Sequence, residues 1–447
     1  MNLPSIASVS GLSAFRHRNY RLFFGGQLVS LIGTWMTSVA QSWLILQLTG
    51  NPFDLGLLTV FQFGPVLVLG LFGGLIADGL PKRQTMYVTQ TVAMGVSFLL
   101  FLLAVTNTVQ VWHVFVLGTV MGIRNAVDMP TRQAFAVEMV GREDVGNAVA
   151  LNSAMFNGAR VLGPAIAGLA IGAFGVSIAF LIDALSFLAV LLGLFLMSPQ
   201  ELHPAPRFDR PTSVGEVFAN LGEGLRYVRR TGIVLLAITI VGVVATAGIN
   251  FTILVPPLAA NTLHVGASGY GFLMAASGLG SLLAALVIAF GGTRATRMLV
   301  GAIVLGVAEI LIGGISNYAV DLVLMFAAGA GAISMMATAN TVIQLEVPDE
   351  LRGRVMSVYL TVFAGTNPIG GLGLGAFAAN LGAAAAIGFG GAISLIAALI
   401  GVVWYRRLPK SPAGNLVLRQ RPAGPVTAIK VLDNAGPAGA DPAGAAD

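Results

Sequence analysis

Residues 22–46 read LFFGGQLVSLIGTWMTSVAQSWLIL, an uncharged run of 25 residues. An α-helix rises about 1.5 Å per residue, and crossing the hydrocarbon core of a bilayer takes about 20 apolar residues, so this run is long enough to span a membrane. It is not uniformly apolar. Gln27, Ser30, Thr34, Ser38 and Gln41 recur at spacings of three, four, four and three, which places them on one helical face, with Trp35 close by. Hydrocarbon offers no hydrogen-bond partners, so that face is expected to meet other protein or a wet cavity. The fold it points to is a bundle of spans around a polar interior.

The remainder of the chain agrees. Of 447 residues, 56% are hydrophobic and 10% charged, with a mean hydropathy of +0.86; an average soluble protein is about 25% charged. Twelve candidate spans emerge: 22–46, 55–77, 86–105, 111–127, 147–171 and 176–197, then 233–255, 268–290, 298–315, 320–342, 355–379 and 383–404. With the N-terminus in the cytoplasm, 22 of the 24 Lys and Arg residues fall in cytoplasmic segments, and the loops at 47–54, 106–110, 172–175, 256–267, 316–319 and 380–382 carry none. That asymmetry orients the chain with both termini inside. It also accounts for the net charge of +5 without any nucleic-acid partner. The organisation expected is a cytoplasmic segment (1–21), a first six-span half (22–197), a central cytoplasmic loop (198–232), a second half (233–408) and a disordered cytoplasmic tail (409–447). Within the central loop, Ser213 and Glu216 form a capping-box pattern. Val217, Leu221, Leu225 and Val228 then repeat at helical spacing opposite Glu223, Arg226 and Arg230, the pattern of a helix lying on the inner membrane surface.

Several chemistries are excluded. The chain has no cysteine, which removes disulfides, thiolate nucleophiles and Cys-ligated metals. Its four histidines are scattered, so neither a metal site nor a metal cofactor is expected. None of the three lysines follows a glycine, so there is no GxxxxGK[ST] phosphate loop and no ATP motor. No nucleophile–base constellation marks an enzyme.

The halves resemble each other at an offset of 207: Val140, Glu143, Gly146, Phe156, Gly158 and Gly163 align with Val347, Glu350, Gly353, Phe363, Gly365 and Gly370. Parallel six-span repeats are the arrangement of major facilitator transporters. Local motifs point the same way. Gly74-Leu-Ile-Ala-Asp78-Gly-Leu-Pro-Lys82-Arg83 resembles that superfamily's loop signature G-x-x-x-D-R-x-G-R-K, with Gly79 standing where the signature has a basic residue. Gly158-Ala-Arg160-Val-Leu-Gly163-Pro164-Ala-Ile-Ala-Gly168 resembles the antiporter signature G-x-x-x-x-G-P-x-x-x-G. The run Asp128-Met-Pro-Thr-Arg132-Gln133, then Gly141-Arg-Glu-Asp144, then Ala150-Leu-Asn152-Ser153, is similar to the enterobactin-exporter and transmembrane-secretion-effector branch, as is Glu223-Gly-Leu-Arg226-Tyr-Val-Arg229. The resemblance covers about residues 15–408. It implies an all-α membrane protein of two pseudo-symmetric six-helix bundles, in the bacterial inner membrane, exporting amphiphilic compounds such as drugs or siderophores by proton antiport. It further implies that Gly74, Asp78, Lys82 and Arg83, joined by Arg124 and Asp128, latch the halves outward-open.

Charges inside spans cost about 2.5–3.5 kcal/mol each on insertion scales and are functional candidates for that reason. Asp183 and Glu309 are the candidate proton carriers, with a structural hydrogen bond the favoured role for both. Asn152, Phe156 and Arg160 share one face at i, i+4 and i+8, and Arg160 is read as a cavity or gate cation that attracts an anionic cargo group or pairs with a carboxylate, the alternative being a fixed interhelical ion pair. The cavity candidates are Gln27, Thr34, Trp35, Gln41, Asn152, Phe156, Arg160, Asn250 and Asn367. The expected partners are a small-molecule substrate, protons and lipid, with the chain acting as a monomer. Rival readings are an importer or facilitator on the same fold, and a non-transporting scaffold or receptor; the polar stripe and mid-span charges argue against the latter.

Overall fold

The computed structural model describes residues 10–203, 214–291 and 294–408; the side chains of 10, 11, 71–78, 214, 217, 218, 290 and 291 lie outside that description. The tail 409–447 and the cap residue Ser213 fall outside it as well, so the expectations placed on them are not addressed. Among the described residues the chain is helical and holds no strand.

A short 3₁₀ segment, Ser10–Arg16, precedes α1 (Arg18–Thr49). α1 ends where Gly50 adopts φ +63° and returns its N–H to the Leu46 carbonyl at 2.8 Å. Asn51 then opens α2 (Pro52–Gly79), its side chain accepting from the Phe53 N–H at 3.0 Å, with Pro52 in the first turn. This two-residue link joins two antiparallel spans with few orphaned backbone groups. α3 (Lys82–Val105), α4 (Val111–Phe174) and α5 (Ser177–Leu196) complete the first half. α6 (Val214–Arg230) occupies the central loop. α7 (Gly232–Ala247), α8 (Phe251–Pro257), α9 (Gly266–Gly291), α10 (Thr296–Gly314), α11 (Tyr318–Glu346), α12 (Asp349–Leu381) and α13 (Ala383–Arg407) form the second.

Among the described residues, ten helical stretches are long and apolar enough to cross a membrane by length and composition. One of them, α4, carries two of the windows read from sequence, 111–127 and 147–171, and α12 supplies the remaining crossing despite a polar, glycine-rich composition. The twelve-span, two-bundle architecture therefore holds, with two local departures. The fourth and fifth spans are not separated by a loop: helix runs through 128–146 and turns sharply at Gly141 (φ +68°, ψ 177°), a backbone geometry that essentially only glycine adopts. The seventh span is broken: α7 stops at Ala247, Gly248–Asn250 are non-helical, and α8 continues through Pro256 and Pro257 into a π-helical turn, Leu258–Thr262.

The two halves pack by one scheme. α1 lies on α5 and the second part of α4, α2 on α4, and α3 on α5 and α4; in the other half α7 lies on α13 and α12, α9 on α11, and α10 on α13 and α11. Small residues bring these helices close. Gly26 sits against Ala189 and Val190, and Gly306 against Gly391 and Leu395. In lipid, where apolar burial alone gives no drive to associate, such van der Waals contact holds the bundle together. The halves meet along α2–α12, α4–α9 and α1–α8. α6 belongs to the second half: Glu223 pairs with Arg354 at 2.5 Å, and the Tyr227 hydroxyl donates to the Glu346 carbonyl at 3.1 Å.

Candidate transport site and gates

The seam between the halves is tight at the end whose loops lack Lys and Arg. There Gly56 abuts Gly371, Gly168 abuts Gly271, and the Thr59 hydroxyl donates to the Asn367 carbonyl across the seam at 3.3 Å. Trp43 of α1 stacks on Tyr270 of α9, centroids 6.0 Å apart. Toward the basic end the same helices part. Gly64 on α2, Gly146 and Gly158 on α4, and Gly353 on α12 have no atom of a neighbouring element within 4 Å of a Cβ position. The halves form a wedge, closed at the base-free end.

Arg160 lies where the wedge narrows. Its backbone carbonyl packs against Gly278 of α9, in the opposite half. Its guanidinium carbon is 6.0 Å from the Trp35 ring centroid, and Trp35 meets Phe156 edge-on at 5.7 Å. The side chain is half-buried, and among the described residues it has no carboxylate partner. The i, i+4 face read from sequence places Phe156 and Arg160 together because α4 is unbroken beyond Gly141, and α1 brings Trp35 against them through the Gly163 contact with Trp35. A cation over an aromatic face gains about 0.5–2 kcal/mol, depending on how dry the site is. That does not neutralise the charge, so the group can still attract an anion.

The remaining polar candidates are distributed differently. Thr34 is half-buried and bonds to its own helix at Ser30. Gln27 and Gln41 are buried within the packed protein; Gln41 accepts from Gln62 of α2 at 2.8 Å, while the Gln27 amide nitrogen has no partner among the described residues. Asn152 accepts from the Tyr20 hydroxyl at 3.1 Å. Asn250 sits at the break in the seventh span, donating to the Thr246 carbonyl at 2.7 Å. Asn367 contributes its backbone, not its amide, to the seam.

At the basic end of α4, Asp128 is fully buried and over-supplied with donors. It pairs with Arg124 at 3.0 Å and with Arg132, and accepts from Thr89 at 2.7 Å and Gln90 at 2.8 Å. The pairing of Arg124 with Asp128 follows from their i, i+4 spacing; the contribution of α3 does not. Arg83 binds the carbonyls that end α5, donating to Leu194 at 2.7 and 3.0 Å, a cation placed on the negative end of a helix. Lys82 reaches the Leu80 carbonyl at 3.3 Å. The side chains of Gly74 and Asp78 lie outside the described residues.

Asp183 is buried at the meeting of α1, α3 and α5, where Oδ2 accepts from Thr37 at 2.8 Å and Ser97 at 2.6 Å. Glu309 is equally buried, and its Oε2 has no partner among the described residues. A third buried carboxyl, Asp321 of α11, is hard to single out from the sequence because it falls at the edge of a span window; neither of its oxygens has a partner among the described residues. Below α4, the His17 ring meets Asp144 at 2.9 Å. Hydrogen bonds from Ser13 and His17 hold the Asp144 carboxyl below the usual carboxylate range. Among the described residues no group of His, Asp and Glu could hold a metal ion.

Four similarities, to one family and three known proteins, bear on this geometry. Residues 9–440 match the family described as transmembrane secretion effector. The chain is 29% identical over 382 residues to the multidrug efflux pump Tap of Mycolicibacterium fortuitum, covering 83% of this chain and 91% of that one. It is 25% identical over 405 residues to the enterobactin exporter EntS of Shigella flexneri, covering 89% and 94%. A solved bacterial homologue of the lysosomal transporter Spinster shares the fold, with TM-score 0.69 and 15% identity over 89% of this chain and 99% of that one.

Proposed function

Because the chain belongs to the transmembrane secretion effector family of major facilitator transporters, and so is a multi-pass membrane transporter and not an enzyme, we propose that it exports amphiphilic small molecules bearing an anionic group, in exchange for protons. The halves 22–197 and 233–408 rock about the α4–α9 and α2–α12 crossings, and the wedge is the chamber in its inward-open form. The chain acts as a monomer in a bacterial inner membrane, with both termini in the cytoplasm. A drug pump and a siderophore exporter among its relatives favour drug-like or siderophore-like cargo.

The observation that carries this reading is Arg160: a cation at the apex of the wedge, flanked by Trp35 and Phe156 and lacking a carboxylate partner among the described residues. Holding the charge there costs free energy that the Trp35 face recovers only in part, whereas an anionic cargo group recovers more of it on binding. The two rings give an apolar body somewhere to lie.

Cargo enters from the cytoplasm while the base-free end is sealed. Return to the outward-open form brings the Asp128 network under the loop that carries Asp78, which closes the basic end. Everted vesicles from a pump-deficient host, given an imposed proton gradient, test this directly. The expected result is accumulation of an anionic amphiphilic dye that an uncoupler abolishes, with Arg160→Ala losing the anionic dye more than a neutral one. Accumulation that survives the uncoupler would instead indicate a facilitator. Normal transport by Asp78→Asn would remove the latch assignment.

A further inference from the structure

The break in the seventh span lies against the unpartnered carboxyl. A Cβ on Gly248 would stand 2.9 Å from Glu309 Oε2 and 2.8 Å from Ser394 Oγ, so α10 and α13 present a carboxylate and a hydroxyl to the same interrupted stretch of backbone. Ser394 spends its proton on the Gly390 carbonyl at 2.9 Å, which leaves its oxygen lone pairs free. Asn250, on the break, donates to Thr246 and lies against Gly370 of α12, and its Oδ1 has no partner among the described residues. Interrupted backbone beside a buried carboxylate is a place where membrane transporters hold small cations; here the Gly248 carbonyl accepts from the Asn250 N–H at 2.9 Å and the Asn250 carbonyl from Ile253 and Leu254, so the oxygens of Glu309 and Ser394 are the principal ligands on offer.

The other half holds the same constellation with the roles exchanged. Thr37, Ser97 and Asp183 correspond to Gly248, Glu309 and Ser394, each 211 or 212 residues on. In the first half the carboxyl is on the sixth span, the hydroxyls of Thr37 and Ser97 both donate to it, and α1 runs through without a break. In the second half the carboxyl has moved to α10, the Ser394 hydroxyl donates to the Gly390 carbonyl and not to the carboxyl, and the helix at Thr37's counterpart is interrupted. Asp183 receives two hydroxyl donors on Oδ2, although its Oδ1 has no partner among the described residues; Glu309 Oε2 receives none.

Nor is there a basic side chain to compensate. From residue 232 to residue 345 the charged residues are Arg294, Arg297, Glu309 and Asp321. Both arginines belong to the basic-end link before and at the start of α10. α7, α8 and α9 carry no charge, α13 carries Arg406 and Arg407 at its far end, and on α11 Asp321 and Glu346 are both acidic.

We propose that Glu309, Ser394 and the Gly248–Asn250 break form the binding site for the coupling cation, a proton or a sodium ion, and that Asp183 is its structural counterpart. The inference rests on the export reading for the word coupling, but not for the site. Occupancy neutralises Glu309 and ties α10 and α13 to the hinge of the seventh span; vacancy frees that hinge.

The test is cation-dependent thermal unfolding of the full-length protein in detergent, since a ligand that binds only the folded state raises its midpoint. One arm exchanges choline chloride for sodium chloride at fixed pH and ionic strength. The other varies pH in sodium-free buffer. A midpoint that rises with sodium in wild type and not in Glu309→Gln assigns sodium. A gap between Glu309→Gln and wild type that closes as pH falls, with no sodium effect, assigns the proton. Ser394→Ala and Gly248→Ala should weaken whichever response is found, so the proposal stays testable if the glutamine variant fails to fold. Asp183→Asn should keep it. Responses equal in wild type and in the variants at 309, 394 and 248, or no response in either arm, would overturn the site while leaving the vesicle assay of export to stand or fall alone.

Discussion

Single side chains decide how charge is managed inside this protein. Asp128 answers two guanidiniums, so Asp128→Ala would strand Arg124 and Arg132 in a dry site and should cost about 3–5 kcal/mol of stability, read as a fall in the thermal midpoint. Asp128→Asn should cost less, since it keeps the shape and some of the bonds from Thr89 and Gln90. Asp144 makes a pH-dependent contribution. Its folded value is depressed, so the stability it adds is present above the ordinary carboxylate value of about 3.9 and is lost as pH falls through the lower folded value. The difference in midpoint between wild type and Asp144→Asn should therefore be constant near neutrality and vanish in acid; a difference that grows in acid would contradict the assignment. At this scale the sequence was partly legible. The i, i+4 pairing of Arg124 with Asp128 and the shared face of Phe156 and Arg160 follow from helical spacing alone. The cap that Arg83 places on α5, and the donors that Thr89 and Gln90 supply to Asp128, depend on which helices become neighbours, and no local pattern carries that.

Hydropathy reveals the helices but hides their interruptions. Twelve apolar windows are visible because each must bury about 20 residues in hydrocarbon. Gly141 and Gly248 are two glycines among 57, and composition does not say which of them turns the chain. Gly141→Ala tests the first: with φ at +68° a side chain meets strain of about 1–3 kcal/mol, so a lower midpoint is expected, with the basic-end half of α4 reoriented. The seam glycines are likewise invisible until α2 meets α12 and α4 meets α9. Gly168→Leu would drive a side chain into Gly271 and the Ala267 carbonyl. Overpacking of this kind costs about 1–3 kcal/mol, and here it penalises the form in which the base-free end is shut. Cysteines placed at that end should become more reactive to a membrane-impermeant thiol reagent added from outside; unchanged reactivity would show that the crossing does not gate.

Seen whole, the molecule is two copies of one packing scheme, joined at one end and parted at the other. The similarity at an offset of 207 residues announces the repeat, and the matched contacts of α2 with α4 and α9 with α11 display it. The exchange of carboxyl and hydroxyl between the halves shows that the repeat has diverged where coupling is assigned. Transport by this scheme requires the parted end to close as the joined end opens. Spin labels at positions 146 and 353 report the basic end, and labels at 51 and 381 the base-free end, each pair placed in an otherwise native chain reconstituted in lipid. Pulsed dipolar spectroscopy across the transport cycle should show the first distance shorten while the second lengthens, in populations that cargo and cation shift together. Two distances that stay fixed in a protein still pumping its cargo would contradict the alternating chamber.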